Sequence, residues 1–477
     1  MLIKITVIAL YAVMIITIGI IGLRKTKSFS DFFLGGGNIG PWMTAFSYGT
    51  AYFSAVLFIG FAGKLGWGFG YSSLWIAFFN GFIGVFLVWS LLAWRIKKVT
   101  SAAGVSTLSE FLEYRYGSPA LKLLSSVVIF VFMIPYSAAV FMGLSYLFTS
   151  TFHLPYVYAL AFMGIFTATY MVLGGYKSMA MIDMIFGIIM TIGVVILFIF
   201  TLNKGNGLGN ITASLNALDP RLTEAVGPPG WWPLVSLILL TSIAPMAMPQ
   251  LIQKFYAIRD RRSIRIGTFA STFFAFLIGG VAYFIGTTTR IFLTPENNPE
   301  AFHDGAPIFD RLMPELLANV IPESLSVIIL LLILSASMST LAALVLISSS
   351  SVTKDFYHGF INKMADDRKL TQLMRWTSAF FILLSVILAF FSPDTIVTIL
   401  GISWGALGSF FLGPFLWGLF YKKSNRAGGI GSGVIGLTTC LTLYLYGLPS
   451  PQAGTIGMIT SFTLNPLISL IPIRRTP

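Results

Sequence analysis

Long apolar stretches, joined by short polar loops, recur along the whole chain. Thirteen of them reach the roughly 20 residues that a helix needs to cross the hydrocarbon core of a bilayer. They cover residues 3–23, 41–63, 71–94, 121–149, 155–175, 178–202, 233–256, 266–292, 318–350, 371–391, 395–420, 428–446 and 453–473. No long polar segment separates them. The pattern therefore predicts an all-α integral membrane protein with 13 transmembrane helices, forming one membrane domain over residues 1–477.

Composition agrees with this prediction and excludes several other classes. Hydrophobic residues make up 56% of the chain and charged residues only 10%, whereas a soluble globular protein carries about 25% charged residues. A disordered chain and most soluble enzymes are therefore excluded. Cys440 is the single cysteine, so a disulfide framework and a multi-cysteine metal site are excluded as well.

The formal net charge of +13 indicates how the helices are oriented. In a soluble protein this excess favours a nucleic-acid partner, but in a membrane protein it is typical of cytoplasmic loops. With the N-terminus outside and 13 spans, most of the 30 Lys and Arg fall inside, among them Lys27, Lys254, Arg474 and Arg475. The outside keeps Lys4, Lys64, Lys204, Arg221, Arg290 and Arg311. We therefore expect a plasma-membrane protein with its N-terminus outside, its C-terminus in the cytoplasm and no nucleic-acid partner.

Two of the stretches are interrupted near their middle. The second contains Gly49-Thr50 and Ser54, and the seventh contains Pro245 and Pro249. Proline removes a backbone donor and clashes with the carbonyl four residues before it. In a bilayer the freed backbone groups need protein, water or an ion as partners. A simple proline kink is the alternative for either helix alone.

The positions of the two interruptions favour a binding site over kinks. They lie in helices two and seven, which cross the membrane in opposite directions. Interrupted helices at matching positions of two inverted halves indicate the binding site of a secondary transporter. We therefore expect a 5+5 repeat, with helices two to six in residues 41–202 and helices seven to eleven in 233–420. The additional helices lie in residues 3–23 and 428–473.

One acidic residue, Asp183, lies well inside a predicted span, about a turn and a half into helix six. A charged side chain at this depth costs about 2.5–3.5 kcal/mol on insertion scales, and is therefore usually paired or functional. Binding or gating a cation is one interpretation. The alternative is an interfacial carboxylate that reaches back to Lys177 or to water.

Helix nine carries small and hydroxyl residues on one face, at Ala336, Ser339, Thr340 and Ala343. Small residues there allow another helix to approach closely, and hydroxyls also bond to carbonyls of their own helix. The functional interpretation is a sodium site, since a hard cation prefers oxygen ligands. The residue types alone leave these alternatives open.

The predicted spans offer little for catalysis or for an ion channel. They contain no histidine and no paired carboxylates, so embedded acid–base catalysis has no candidate groups, and we expect no enzyme activity. A channel needs charged rings or carbonyl filters along a pore, which one buried acid does not supply. The sequence also indicates no resident cofactor and no obligate protein partner.

These motifs together resemble the sodium:solute symporter family, which includes the sodium/proline and sodium/pantothenate symporters. The resemblance rests on residues 31–36, on Gly174-Gly175 followed by Asp183, and on Pro249-Gln250 with the basic loop after it. Its most specific parts are residues 336–340 and 353–357. The family implies a LeuT-like inverted-repeat core, sodium as the coupling ion, and a lipid bilayer and a small-molecule solute as partners.

The resemblance also implies roles for individual residues. The family's sodium site falls on the carbonyls of Thr50, Phe53 and Ala336 and on the hydroxyls of Ser339 and Thr340. The family's helix-six aspartate falls on Asp183, where it would help sodium to pass inward. Solute-lining candidates beside the two breaks are Ala51, Tyr52, Ser54, Met246 and Gln250.

Two positions depart from the family pattern. Phe186 stands where the family often has glutamine, and Tyr52 stands where the proline carriers have aspartate, which argues against proline. Residues 50–55 are more similar to the pantothenate-type members. We therefore expect a sodium-coupled symporter of a small organic solute, pantothenate or another carboxylate, that works by alternating access. A proline-type amino-acid symporter is the alternative, and an ion channel is the alternative from a different class.

Overall fold

A computed structural model describes residues 2–25, 28–173 and 175–471 of the chain. The helices in chain order are α1 (Leu2–Lys25), α2 (Phe29–Leu34), α3 (Pro41–Tyr52), α4 (Ala62–Phe69), α5 (Leu74–Phe79), α6 (Trp94–Ala103), α7 (Leu108–Tyr116), α8 (Pro119–Phe152), α9 (Tyr156–Leu173), α10 (Tyr176–Lys204), α11 (Leu208–Leu218), α12 (Trp231–Ile243), α13 (Pro249–Ala257), α14 (Arg261–Phe292), α15 (Phe309–Glu315), α16 (Glu323–Ser350), α17 (Asp367–Phe391), α18 (Ile396–Phe420), α19 (Arg426–Leu445) and α20 (Ser450–Ile468). A two-stranded antiparallel hairpin joins β1 (Phe302–His303) to β2 (Ala306–Pro307). The protein is therefore all-α in character, as predicted.

Short segments of tighter or wider helix extend several of these elements. The wider, π-helical segments continue a neighbouring helix without a turn, and they are Val56–Phe61, Asn80–Ala93, Leu316–Val320 and Ser351–Ile361. The tighter, 3₁₀ segments are Gly35–Gly37, Gly70–Ser73, Pro220–Thr223, Ala244–Ala247 and Pro299–Ala301. Local departures from α-helical geometry of this kind are frequent at functional sites.

Each of the 13 predicted stretches coincides with helical structure, but the number of spans is not confirmed. Within the described residues, nine helices are long and apolar enough to cross a membrane, or ten if one bent pair is a single span. That pair, Trp231–Ala247 and Pro249–Ala257, bends by 41°. The bend confirms that the seventh stretch is interrupted at its prolines. The count of 13 and the 5+5 repeat remain predictions.

The surface of the bundle is itself apolar over wide areas. Phe269, Trp376 and Ile165 each leave about 70% of their surface exposed, and many other large apolar side chains are also exposed. A water-soluble monomer rarely exposes apolar patches of this extent. The apolar exterior agrees with a protein surrounded by lipid.

Contacts between the ends of the interrupted helices hold them side by side. Just before α3, the Ile39 amide donates to the Ala257 carbonyl at 3.0 Å, and the Ile39 carbonyl accepts from the Arg259 amide at 3.0 Å. Lys97 bonds to the Tyr256 carbonyl at 3.0 Å. The end of α13 is therefore fixed against the start of α3.

Several sequence predictions concern residues that the structure leaves undescribed. Lys27, Arg474 and Arg475, which the predicted orientation places inside, and Gly174 of the glycine pair lie outside the described residues. The orientation of the termini remains a prediction.

Candidate functional site

The second helix breaks at Phe53 and Ser54. Phe53 has the extended dihedrals φ −107° and ψ 105°, and the chain becomes helical again at Val56–Phe61. The Ser54 hydroxyl accepts from the Val56 amide at 3.2 Å, and the Ser337 hydroxyl on α16 accepts from the Ala55 amide at 3.1 Å. Side-chain oxygens thus replace the carbonyls that a continuous helix would supply to these amides.

The break frees two carbonyls, those of Thr50 and Ala51. In a continuous helix they would accept from the amides four residues later, at Ser54 and Ala55. Within the described residues, neither amide bonds to them. Freed carbonyls inside a membrane domain are where transporters of this architecture bind sodium.

The hydroxyls of α16 meet these carbonyls. The Thr340 hydroxyl lies 3.1 Å from the Thr50 carbonyl oxygen, 3.4 Å from that of Ala51 and 3.1 Å from that of Ala336. The Ser339 hydroxyl donates to the Thr50 hydroxyl at 2.7 Å. A hydroxyl has one proton for these acceptors, so the cluster is rich in acceptor oxygen and suits a hard cation.

The structure thus brings together four of the five predicted sodium ligands: Thr50, Ala336, Ser339 and Thr340. All four are fully buried. Phe53 forms no hydrogen bond with α16 in the described part of the chain, and its ring lines a cavity instead. Ala51, which the sequence suggested as a solute contact, contributes the neighbouring carbonyl. The role of Phe53 as a ligand remains a prediction.

Asp183 is buried close to this cluster. It accepts a hydrogen bond from Ser47 at 2.5 Å, and the Ser339 side chain also interacts with its carboxylate. Ser47 lies one turn before Thr50 on α3. Asp183 therefore sits at the edge of the hydroxyl cluster and does not reach back to the interface, which favours the functional interpretation over the interfacial one.

Lys254, which the sequence places at the inner end of the seventh stretch, 233–256, is buried in the bundle. The side chain is fully buried, and its ammonium lies 2.8 Å from the Ser47 hydroxyl and 3.9 Å from the Asp183 carboxylate. The burial arises because α13 continues as a helix from Pro249 to Ala257. This helix carries Lys254 back toward α3, whereas hydropathy alone marks it as the end of a span.

A small cavity of about 30 Å³ opens on the other side of the break. Aromatic rings dominate its lining, with a few neutral polar groups, and none of its lining residues in the described structure carries a formal charge. The lining residues are Tyr52, Phe53, Ser54, Val56, Leu57, Phe61, Asn80, Tyr136, Thr241, Tyr283, Leu400 and Trp404. An apolar cleft with a few placed polar groups is typical of a small-molecule site.

Two of the five predicted solute residues, Tyr52 and Ser54, line this cavity. Tyr52 also donates to the Thr241 carbonyl at 2.5 Å and so links the two interrupted helices. The other three, Ala51, Met246 and Gln250, do not line the cavity. Consecutive helical residues point about 100° apart, so Ala51 faces α16 while Tyr52 faces the cavity.

Met246 and Gln250 lie at and after the second break, away from the cavity lining. Met246 is half-buried, and Gln250 is fully buried at the start of α13. Neither amide atom of Gln250 has a hydrogen-bond partner within the described residues. A role for these two residues in binding solute remains a prediction.

Sequence reasoning missed several lining residues. Asn80 was detectable as a lone amide inside an apolar stretch; its carbonyl oxygen accepts from Thr241 at 2.8 Å and from Ser242 at 2.9 Å. Tyr136 and Trp404 carried no such signal. Their rings pack edge to face with centroids 5.8 Å apart, an arrangement that only the fold produces.

Comparison with known proteins agrees with this geometry. The profile of the sodium:solute symporter family matches residues 32–436. The osmoregulated proline transporter OpuE of Bacillus subtilis (strain 168) is 27% identical over 475 residues, covering 97% of this chain and 92% of that protein. The high-affinity proline transporter PutP of the same organism is 28% identical over 438 residues, covering 89% and 88%.

Solved structures show the same fold. A Na⁺-coupled sialic acid symporter in a substrate-bound outward-open state superimposes with a TM-score of 0.82 at 17% identity, covering 98% of this chain and 97% of that one. The inward-facing conformation of Mhp1 gives a TM-score of 0.54 at 13% identity, covering 91% and 90%. At these identities the two superpositions show a shared fold.

Proposed function

Since this chain belongs to the sodium:solute symporter family, we propose that it couples inward sodium movement to uptake of a small zwitterionic solute across the plasma membrane. The N-terminus faces outside and the C-terminus the cytoplasm. The observation that carries the proposal is the contact between the freed Thr50 and Ala51 carbonyls and the hydroxyls of α16. A sodium ion there joins the interrupted helix α3 to α16.

Sodium binding at this position would link the ion to the solute. The cavity shares the broken segment with the sodium cluster, since Phe53 and Ser54 line the cavity directly after Thr50 and Ala51. Ordering of the segment by sodium prepares the cavity wall for the solute. A ligand shifts the outward–inward equilibrium only as far as its affinities for the two states differ. The membrane potential adds about 2.3 kcal/mol per 100 mV for each sodium ion.

The cavity chemistry favours a zwitterion over a net anion such as pantothenate. An anion would meet no cationic side chain among the described lining residues. A zwitterion can place its ammonium against one of the aromatic rings that line the cavity, such as that of Tyr52 or Trp404. Its carboxylate can face the N-terminal end of the helix that resumes after Ser54, where the helix dipole is positive.

The names of the relatives support the amino-acid alternative over the carboxylate that the sequence first suggested. Both B. subtilis relatives are proline transporters, and proline is a small zwitterion. Tyr52 stands where the proline carriers have aspartate. Because Tyr52 presents an aromatic face instead, we expect a preference for amino acids whose nitrogen is secondary or more heavily alkylated.

Uptake into proteoliposomes tests the proposal. Labelled L-proline should accumulate above its external concentration when an inward sodium gradient is imposed, and should not accumulate with choline in place of sodium. Excess unlabelled betaines and N-methylated amino acids should compete, and pantothenate should not. If pantothenate competes and the amino-acid derivatives do not, the proposed class of solute changes from amino acids to carboxylates. Flux that never exceeds equilibration would indicate a channel.

A further inference from the structure

The side chain of Lys254 is a buried cation next to the sodium cluster. It lies on the fourth-from-last position of α13, with 0% of its surface exposed. Besides Ser47 and Asp183, its ammonium faces the ring of Tyr176, with 5.1 Å to the centroid. The aromatic face and the hydroxyl partly replace the water that this ammonium lost on folding.

Lys254 and Asp183 form a buried pair of one basic and one acidic side chain. Asp183 is the carboxylate that faces Lys254, and Lys254 is the cation that faces Asp183, within the described residues. Removing an ion of this size from water costs several kcal/mol even after relaxation, and leaving one partner without the other is strongly destabilising. An ionised Asp183 would be stable here only with a positive charge beside it, and Lys254 lies 3.9 Å away.

The position of this positive charge is adjacent to the sodium cluster. Ser339 donates to Thr50 at 2.7 Å and also interacts with Asp183. Ser47 connects Asp183 to Lys254 from one turn before Thr50 on α3. Hydroxyls and a carboxylate are the oxygen ligands that a second sodium ion would need. The ammonium of Lys254 already lies 2.8 Å from the Ser47 hydroxyl and 3.9 Å from the Asp183 carboxyl group.

We infer that Lys254 is a tethered cation that takes the place of a second coupling ion, so that this protein binds one sodium ion per solute. The inference rests on the proposed function, because it assumes that the cluster around Thr340 binds sodium. It assigns Lys254 a positioning role: its ammonium lies beside the Asp183 carboxyl group and closes that position to free sodium.

Binding of radioactive sodium to the purified full-length chain tests this inference without knowledge of the solute. The wild-type protein should bind one ion per chain with a Hill coefficient of about 1. Lys254→Met removes the charge and keeps much of the side-chain length, so Asp183 should recruit a second ion, with about two ions bound per chain and a steeper titration. Lys254→Arg is the matched control that keeps the cation, and should bind one ion.

The double variant Asp183→Asn/Lys254→Met removes both charges and should again bind one ion. It also keeps the test decisive if Lys254→Met folds poorly, since the double variant should then unfold at a higher temperature than the single variant. In sodium-free buffer, a double variant that is no more stable than Lys254→Met would overturn the inference. The inference would also be overturned if the wild-type chain bound two sodium ions. It would be overturned as well if Lys254→Met bound one sodium ion with unchanged affinity. A wild-type chain that binds no sodium would instead overturn the proposed function.

Discussion

Alanine at Ser339 or Thr340 is expected to weaken sodium coupling selectively. Each change removes one hydroxyl from the cluster without altering charge. Thr340 contacts three carbonyl oxygens between 3.1 and 3.4 Å away, and Ser339 contacts the Thr50 hydroxyl at 2.7 Å. If the hydroxyls coordinate sodium, the loss should affect sodium affinity first. If they only join α3 to α16, it should affect stability alone.

The expected change in sodium affinity follows from the type of contact that each variant loses. A neutral hydrogen bond contributes about 1 kcal/mol to stability, whereas a contact to a charged group contributes about 1.5–3 kcal/mol. Since about 1.4 kcal/mol corresponds to tenfold in affinity, each variant should raise the half-saturating sodium concentration about tenfold to a hundredfold. Sodium and solute binding are reciprocally linked, so solute affinity should fall at low sodium and recover at high sodium.

Sodium titrations of L-proline uptake in proteoliposomes measure this effect. Ser349→Ala is the matched control, because Ser349 is a buried serine on the same helix whose hydroxyl donates to its own Val345 carbonyl at 2.6 Å. Its titration should coincide with that of the wild type. If the Ser339 and Thr340 variants also coincide with the wild type, the sodium assignment is refuted. A fall in melting temperature without a shift in the titration would assign these hydroxyls to helix packing.

Three further expectations follow from the structure. Tyr52→Phe keeps the ring in the cavity but removes the bond to the Thr241 carbonyl, so L-proline affinity should fall about fivefold in uptake assays, for a loss of about 1 kcal/mol. Pro245→Ala with Pro249→Ala should straighten the 41° bend and lower solute affinity more than expression; unchanged affinity of the purified variant would reduce the break to a kink. Burial raises the pKa of Asp310 to about 6, so the folded chain holds this proton more tightly than the unfolded chain, and stability should fall as pH rises from about 4 to about 6. Melting temperatures at about pH 4.5 and pH 7.5 measure this difference, which Asp310→Asn should reduce.

The sequence determined the helical class, the two interruptions and most of the residues of the hydroxyl cluster around Thr340. Apolar stretches long enough to span a bilayer require helices, because backbone groups in lipid must bond within their own segment. Proline marked the second break, and the hydroxyl face of residues 336–343 marked the partner helix. These features are local, so the periodicity of the chain is sufficient to reveal them.

Only the tertiary structure decided which groups meet across the bundle. Ser339 and Thr50 are 289 positions apart, and helical periodicity shows which face a residue occupies but not which residue lies opposite. The contact of the Ala51 carbonyl with Thr340, and the place of Phe53 in the cavity lining, depended on the path of the chain through the break. The burial of Lys254 depended on α13 being fixed against the start of α3. From the sequence alone, a lysine at the end of an apolar stretch gives no sign of being buried. The packed bundle makes its burial physically possible, because it supplies Asp183 and Ser47 as partners.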